Sequence, residues 1–318
     1  MEVFEHAVVG GGIAGLLFAR QLVEAGQQCV VLDKGRGFGG RLATRRGDGV
    51  RFDHGAQYFT VRDPQFQLWV DQMCAEGVVH PWFEKQGKGG QTEQEICYIG
   101  KNGMSDIAKW LAEPVDVRRS TRVSRLQWID SCWHLETADG PLGKAKELTL
   151  AVPVPQALDL LTGSCYPLES AEIELLAGIR YAKSIAVLAV LDGPSGLPEP
   201  GGISVEHPHL SWIADNRRKG ISGGDAITLH STARFGEEHW ESDNAVRAPQ
   251  LIDAAANWVL ARVVSWSCHR WGYAFPEVVG PEPFFAAKAG RLRCIGDAFG
   301  GPRVEGAATS ALLAFSAL

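Results

Sequence analysis

Glycine-rich blocks carry the residues whose types and spacing point to chemistry. The first block, Gly10–Gly15, reads GGGIAG, a GxGxxG motif, and acidic Asp33 follows eighteen residues after its last glycine. Gly10 permits the tight turn, Gly12 lets backbone amides approach a pyrophosphate, and Gly15 lets a helix pack on a strand. We expect Asp33 to accept hydrogen bonds from an adenosine ribose. The block predicts a dinucleotide site, with a plain glycine-rich turn as the weaker alternative.

The second block indicates which dinucleotide is bound. The GxGxxG motif alone does not separate NAD from FAD, because the same half-fold holds the ADP part of either. The stretch Gly39-Gly40-Arg41 resembles the GGR segment that follows the ribose acid in glutathione-reductase-type flavoproteins. Arg41 could donate a bidentate pair of hydrogen bonds to phosphate. A solvated basic turn would explain the neighbouring arginines but not the paired glycines, so the block favours FAD.

The third block lies near the C-terminus, where Gly296-Asp297 follows an apolar run and the segment Gly300–Ala308 is rich in glycine and alanine. In flavin proteins of this type a late strand delivers an aspartate to the ribityl chain or pyrophosphate. The helix after it points its N-terminus at the flavin N1 and C2 carbonyl, where its positive end favours the anionic reduced flavin. The small residues Gly306, Ala307 and Ala308 suggest close approach to a planar ring. The alternative is a C-terminal helix entered through a loop.

Strands and helices must position these blocks. The apolar spacing predicts strands at 7–9, 29–32, 148–152 and 292–295, helices at 13–25 and 305–318, and short antiparallel strands at 115–117, 122–129 and 133–137. Between them we predict helices at 66–76, 171–176 and 250–262, strands at 184–191 and 226–231, and an exposed loop at 86–94. We therefore predict an α/β fold with a glutathione-reductase-type FAD-binding Rossmann domain (1–63, 115–156 and 290–318) and a mixed α+β substrate domain (64–114 and 157–289).

Composition excludes several classes of function. The net charge of −6 offers no attraction to nucleic acid or anionic lipid, and no apolar stretch is long enough to span a membrane. The seven cysteines are scattered without a CxxC pair, and the start lacks a signal peptide, so we expect a cytoplasmic protein. The histidines are scattered too, so no metal site is expected.

At this point the sequence resembles the renalase family, within the larger amine-oxidase-like flavoproteins. The resemblance covers nearly the whole chain and is most specific at Gly55-Ala56-Gln57-Tyr58-Phe59. It is carried by 10–15, 33–46, 53–60, 151–157, 211–214, 269–274 and 296–310. The segment 217–221 departs from the family because it lacks an expected Lys-Pro pair.

The resemblance implies an FAD-dependent oxidase that accepts hydride from isomeric (2- or 6-) dihydro-NAD(P) and passes electrons to O2 to give H2O2. We expect the FAD to be bound non-covalently, because no cysteine lies in a context typical of covalent flavin attachment. No general base is required, because geometry and ring stacking do most of the work. Two alternatives stay open: a flavin amine oxidase or desaturase, and a non-catalytic flavin-binding sensor.

The resemblance also implies site residues. Gly55, Ala56 and Gln57 would lie against the isoalloxazine. Val123 would contact the adenine, and Ala151, Val152 and Pro153 would line the cofactor channel. The full set of predicted cofactor-binding residues is Gly10, Gly12, Ile13, Ala14, Gly15, Asp33, Lys34, Gly40, Arg41, Leu42, Gly55, Ala56, Gln57, Val123, Ala151, Val152, Gly296, Asp297, Val304, Glu305, Gly306 and Ala307. The predicted substrate pocket contains Tyr58, Trp212, Arg270, Trp271 and Tyr273.

Overall fold

The computed structural model describes residues 2–86 and 94–318. Its strands are β1 (Glu2–Val9), β2 (Cys29–Leu32), β3 (Thr44–Gly47), β4 (Val50–Asp53), β5 (Val79–Gln86), β6 (Gln94–Gly100), β7 (Asp116–Arg118), β8 (Arg125–Ile129), β9 (Cys132–Thr137), β10 (Gly140–Leu150), β11 (Arg180–Leu191), β12 (Gly202–Ser204), β13 (Leu210–Asp215), β14 (Ala226–Ser231), β15 (Val263–Val278), β16 (Phe285–Ala286) and β17 (Leu292–Cys294). Its helices are α1 (Ile13–Glu24), α2 (Pro64–Ala75), α3 (Ser105–Ala112), α4 (Val154–Leu161), α5 (Ser170–Ala177), α6 (Ala233–Glu238), α7 (Asn244–Ala254), α8 (Asp297–Gly300) and α9 (Val304–Ser316).

The larger sheet is mostly parallel and has the strand order β16-β17-β10-β1-β2-β7. Strands β17, β10, β1, β2 and β7 run in one direction, and the hairpin β8–β9 extends the sheet from β10. Carboxyl ends of parallel strands meet at one edge of a sheet, where ligands of α/β proteins bind. The fold therefore brings Gly10, Asp33, Ala151 and Gly296 to the same edge, as the predicted Rossmann arrangement requires.

One predicted pairing is wrong. The strand near residues 115–117 was expected to be antiparallel, but β7 pairs with β2 in parallel, with Val30 opposite Asp116. The chain reaches β7 through α2 and α3, and a parallel neighbour needs such a crossover rather than a tight turn.

Helices α1, α2, α3 and α9 share one hydrophobic core on the larger sheet. Phe18 of α1 and Phe66 of α2 are almost completely buried there, together with Ile107 of α3 and Ala311 of α9. The prediction placed 64–114 in the substrate domain, whereas α2 and α3 pack in the core of the dinucleotide-binding half. The reason is that their apolar faces complete the cover over α1. Residues 87–93, within the predicted loop 86–94, lie outside the described residues.

The smaller sheet is antiparallel and has the order β12-β13-β14-β11-β15. One face buries Ile185, Val187, Ile213 and Leu229 with α6 and α7 residues. The opposite face is turned toward the larger sheet, and Leu188 on it packs against β4. The helix predicted at 250–262 is α7, which begins earlier and ends at Ala254.

Candidate functional site

A cleft, whose volume of about 1200 Å³ includes its solvent-open mouth, separates the carboxyl edge of the larger sheet from one face of the smaller sheet. It unites residues that are far apart in sequence. Of the predicted site residues, those lining it are Gly12, Ile13, Ala14, Arg41, Leu42, Gly55, Ala56, Ala151, Val152, Gly296, Asp297, Val304, Ala307 and Trp271. Gly10 and Gly15 lie directly behind this lining.

The N-terminus of α1 opens into the cleft. Gly12 is the N-cap, no side chain caps the helix, and the first turn holds no acidic residue. A Cβ built on Gly12 meets nothing within 4 Å, whereas one on Gly10 would lie 2.6 Å from the Ala151 carbonyl oxygen, and Gly10 has a φ of +113°. A Cβ on Gly15 would collide with the Gly10 carbonyl. The turn is therefore tightly packed underneath and open above Gly12, which suits a pyrophosphate at the positive helix end.

Asp33 ties the glycine turn to β2. Its carboxylate accepts hydrogen bonds from the amides of Gly11 and Gly35, the latter at 2.5 Å. A carboxylate has about four acceptor positions, so these two bonds leave capacity for ribose hydroxyls. The structure thus gives Asp33 an orienting role in addition to the predicted one.

Arg41 and Asp297, which we expected to meet different parts of the cofactor, bind each other. The guanidinium Nη1 and Nη2 lie 2.5 and 2.7 Å from the two carboxylate oxygens, a bidentate ion pair at the floor of the cleft. Nη1 also reaches the carbonyls of Tyr273 and Ala274 in β15, at 3.4 and 3.3 Å. The pair joins residues 256 positions apart and orients both side chains before any ligand contact.

The segment from α8 to α9 is compact because its glycines pack against one another. A Cβ on Gly306 would collide with the Gly301 carbonyl, and Gly300 is in equally close contact with Gly306. These glycines therefore allow α8 to pack on α9, and the close approach of a planar ring to this segment stays a prediction. The Glu305 carboxylate points away from the cleft, because it accepts the backbone amides of Arg62 and Asp63 before α2.

A buried ion pair fixes the position of the loop after β4. Asp53 accepts Lys219 Nζ at 2.7 Å, and both side chains are completely inaccessible. Burial lowers the pKa of Lys219, and the Asp53 carboxylate opposes that shift. Further along the loop, Gln57 Nε2 donates to the Asp53 carbonyl at 2.6 Å, which leaves its Oε1 buried without a partner among the described residues. Gln57 does not contribute to the cleft lining, so its predicted contact with the isoalloxazine stays a prediction.

The far wall of the cleft comes from the smaller sheet. The His54 carbonyl accepts Trp271 Nε1 at 2.6 Å and contacts His230 Nε2 at 3.2 Å. Since a carbonyl only accepts, His230 carries its proton on Nε2. Burial lowers the pKa of His54, His230 and His269 to about 4, so all three are neutral at pH 7.

Sequence reasoning missed several lining residues on this wall and beside the Arg41–Asp297 pair. They are Tyr181, Ser184, Ser211, His230, Ser231, Phe275 and Arg303. Burial, and then the Asp297 charge, raise the pKa of Tyr181 to about 12. The polar residues Ser184 and His230 in otherwise apolar strands are the signal that could have identified this face.

Of the five predicted pocket residues, Trp271 lines the cleft and Arg270 is on the other side of the strand. Adjacent residues of β15 point to opposite faces, and Arg270 donates to the Trp240 carbonyl at 3.0 Å and lies over its ring. Tyr58 and Trp212 belong to an aromatic group outside the cleft lining, with ring centroids 5.6 Å apart. Tyr273 packs behind the lining, edge-to-face on Tyr181.

Nine predicted cofactor-binding residues lie outside the cleft lining: Gly10, Gly15, Asp33, Lys34, Gly40, Gln57, Val123, Glu305 and Gly306. Lys34 is exposed and donates to Gln156 at 3.1 Å, Gly40 is exposed, and Val123 is buried in the core beside β8 and β10. In the described ranges, no three His, Cys, Asp or Glu side chains cluster as metal ligands would. None of the helices described above combines the length and apolar character needed to cross a bilayer.

Comparison with known proteins agrees with this geometry. Residues 8–75 match the NAD(P)-binding Rossmann-like domain, and residues 68–314 match the flavin containing amine oxidoreductases. The second match spans well over half of the chain, so the protein belongs to the flavin-containing amine oxidoreductase family. It is a flavin-dependent oxidoreductase.

The chain is also similar to individual proteins. Renalase of Mus musculus is 24% identical over 287 residues, which is 84% of each chain. A structure of putrescine oxidase aligns with a TM-score of 0.75 at 13% identity and covers 99% of this chain and 98% of its own. A putative protoporphyrinogen oxidase from Exiguobacterium sp. 255-15 aligns with a TM-score of 0.73 at 14% identity, with the same coverage. At these identities the two structures establish the fold alone.

Proposed function

We propose that this protein is an FAD-dependent oxidase that accepts hydride from isomeric (2- or 6-) dihydro-NAD(P) and passes the electrons to O2, giving H2O2. The observation that carries the proposal is the charge of the cleft wall. Among the described lining residues Asp297 is the one carboxylate, and Arg41 already neutralises it. The smaller sheet contributes serine hydroxyls and the neutral imidazole of His230. A neutral dihydropyridine ring suits this wall better than a cationic amine.

In this proposal the residues of the cleft bind and orient the cofactor and the substrate, and none of them acts as a general acid or base. The open N-terminus of α1 suits the pyrophosphate of FAD, and the α9 N-terminus, with Val304 at the cleft, suits the flavin ring. When bound, the flavin supplies the hydride acceptor at N5 and the site of reaction with O2. Trp271 on the opposite wall offers a flat surface for a planar ring, with its indole fixed by the His54 carbonyl. Only the ring carbon held over N5 at near-contact distance reacts efficiently.

Similarity to renalase supports this reading over the two alternatives. An amine oxidase is the natural rival within the family, and we expect it to show a carboxylate or an aromatic cage for an ammonium ion. A non-catalytic flavin sensor is the rival of another class. Each of these two alternatives predicts a different set of compounds that reduce the flavin from the set predicted for a dihydro-NAD(P) oxidase.

The deciding experiment is anaerobic stopped-flow reduction of the purified yellow protein. We expect 2- and 6-dihydro-NAD(P) to bleach the flavin much faster than 4-dihydro-NAD(P)H or simple amines, and peroxide to form when air is admitted. Equal reduction by NADH would indicate a general reductase, and faster reduction by an amine would indicate an amine oxidase. Absence of reduction by every compound would indicate a sensor.

The mode of FAD attachment follows from the same cleft. Within the described part of the chain, no cysteine contributes to the lining, and all seven cysteines are free. We therefore propose that FAD is held without a covalent bond, and acid precipitation should release the yellow colour into the supernatant. Colour retained in the pellet would contradict this.

A further inference from the structure

The wall of the cleft that the smaller sheet forms carries His230, Ser184 and Ser211. The N–H or O–H group of each of these side chains points at a backbone carbonyl of the protein, so each side chain offers an acceptor to a ligand. His230 Nε2 is committed to the His54 carbonyl, so Nδ1 bears the free lone pair. Ser211 Oγ donates to the carbonyls of His230 and Ser231 at 3.1 and 3.0 Å, and Ser184 Oγ donates to the Ser231 carbonyl at 3.5 Å. Both hydroxyl protons are thus directed at the Ser231 carbonyl, and the hydroxyl oxygens offer acceptor capacity to the cleft.

These acceptors face the cleft together. His230, Ser184 and Ser211 all line it, and the two hydroxyls share the Ser231 carbonyl as their acceptor, which keeps them close to each other. His230 stands opposite Ala186 in the sheet register, and Ala186 in turn pairs with His269 of β15, while Ser184 pairs with Trp271. His230 is half-buried and lines the cleft, and its Nε2 is the ring nitrogen that contacts the His54 carbonyl, which leaves Nδ1 for a ligand.

We propose that His230, with Ser184 and Ser211, forms a subsite that selects the substrate by its N–H donors, and that the carboxamide NH2 of a dihydronicotinamide is the group it binds. This inference rests on the proposed function and assigns the substrate atoms that the wall recognises. A carboxamide offers two N–H donors in one plane to a set of acceptors that have no proton to give back. A ring substituent without an N–H covers these acceptors without pairing them, which weakens binding.

Two substitutions of His230 test the roles of its two ring nitrogens, Nδ1 and Nε2, one at a time. His230→Gln places an amide near the Nε2 position, where it still donates to the His54 carbonyl, but removes the acceptor at Nδ1. His230→Asn places a carbonyl oxygen near the Nδ1 position and gives up the bond to His54. His134→Gln, in β9 and away from the cleft lining, is the matched control.

The measurement is binding of oxidised NAD(P) and of its 3-acetylpyridine analogue, in which a methyl ketone replaces the carboxamide. Each is titrated into the FAD-loaded protein and followed by the change in the flavin visible spectrum. We expect the wild type and His134→Gln to prefer the carboxamide by about tenfold to hundredfold. His230→Gln should reduce this preference below about threefold, and His230→Asn should retain most of it.

The outcomes distinguish this inference from the function on which it rests. If the wild type reduces its flavin with the dihydronicotinamide isomers but shows no preference for the carboxamide, the subsite is wrong and the function stands. The same holds if His230→Gln keeps the full preference. If no nicotinamide dinucleotide perturbs or reduces the flavin, the proposed function fails and this subsite fails with it.

Discussion

Lys219 Nζ lies 2.7 Å from Asp53 Oδ2, and the pair joins the smaller sheet to the loop that precedes Gly55. Asp53 Oδ1 accepts Thr44 Oγ1 at 2.6 Å and the Met104 amide at 2.9 Å, so both carboxylate oxygens have hydrogen-bond donors. The ammonium also lies over the Trp82 ring. One ion pair, inaccessible to solvent, therefore links the two halves of the molecule.

Removing the lysine should destabilise the fold strongly. Lys219→Met leaves the Asp53 carboxylate buried without its counter-charge, and breaking such a pair costs about 3–5 kcal/mol. Denaturant unfolding should show this loss, and Lys219→Met combined with Asp53→Asn should recover much of it. Arg234→Ala, which breaks the exposed pair with Glu238, is the control and should not change the unfolding midpoint. A normal midpoint for Lys219→Met would show that the pair does not stabilise the fold.

Gly12→Ala should separate cofactor binding from folding. The added methyl group meets no protein atom within 4 Å but enters the space over the α1 N-terminus. We expect an apoprotein of ordinary stability whose affinity for FAD falls at least tenfold. Gly10→Ala should instead impair folding, because its Cβ meets the Ala151 carbonyl. Gly193→Ala, also in open space, is the control. Full FAD affinity in Gly12→Ala would place the pyrophosphate elsewhere.

Asp297→Ala should weaken FAD binding by one to two orders of magnitude. The substitution removes a charge-assisted bond worth about 1.5–3 kcal/mol and frees Arg41 to leave its position. Titration of apoprotein with FAD, followed by fluorescence quenching, measures the change. Glu147→Ala removes the partner of Arg293 on the neighbouring strand, outside the cleft lining, and should leave the affinity unchanged. Equal losses in the two variants would mean that Asp297 acts only on the fold.

Stability should fall as the pH is lowered from 6.5 to about 4. His54, His230 and His269 stay neutral in the folded protein down to about pH 4, whereas their ordinary pKa is 6.5. The unfolded chain binds more protons in this interval, so the free energy of unfolding decreases by up to about 1.4 kcal/mol per pH unit for each histidine. Above pH 6.5 the contribution is fully present.

Denaturant unfolding at several pH values between 7.5 and 4.5 measures this slope. His269→Gln removes one of the three titrating groups and should make the slope shallower. A free energy of unfolding that does not change between pH 7.5 and 5 would contradict the depressed pKa values.

The dinucleotide-binding half could be predicted from sequence because its signals are local. The GxGxxG block, the apolar strands before Gly10 and Asp33, and the helix from Ile13 all follow from short-range spacing, and the structure confirms these elements. Parallel strand ends then bring the third block, at Gly296, to the same edge. The roles of the individual cofactor-binding residues stay predictions.

The substrate wall was harder to predict because its determinants are long-range. Strand β15 has polar and apolar residues on both faces, so its period is unclear, and the sequence prediction placed both Arg270 and Trp271 in the pocket. Arg41 and Asp297 are far apart in sequence, and no local sequence pattern predicts that they form an ion pair. His230 becomes a candidate only when β14 is seen beside the His54 carbonyl.

That carbonyl has a consequence for protein engineering. It belongs to the peptide unit that leads into Gly55, and its two donors come from side chains on the opposite wall. A library that varies Trp271 or His230 to accept new compounds will therefore also shift the backbone beneath the predicted flavin position. Variants selected for altered substrate range should differ in flavin colour and redox potential as well, so the two properties must be screened together.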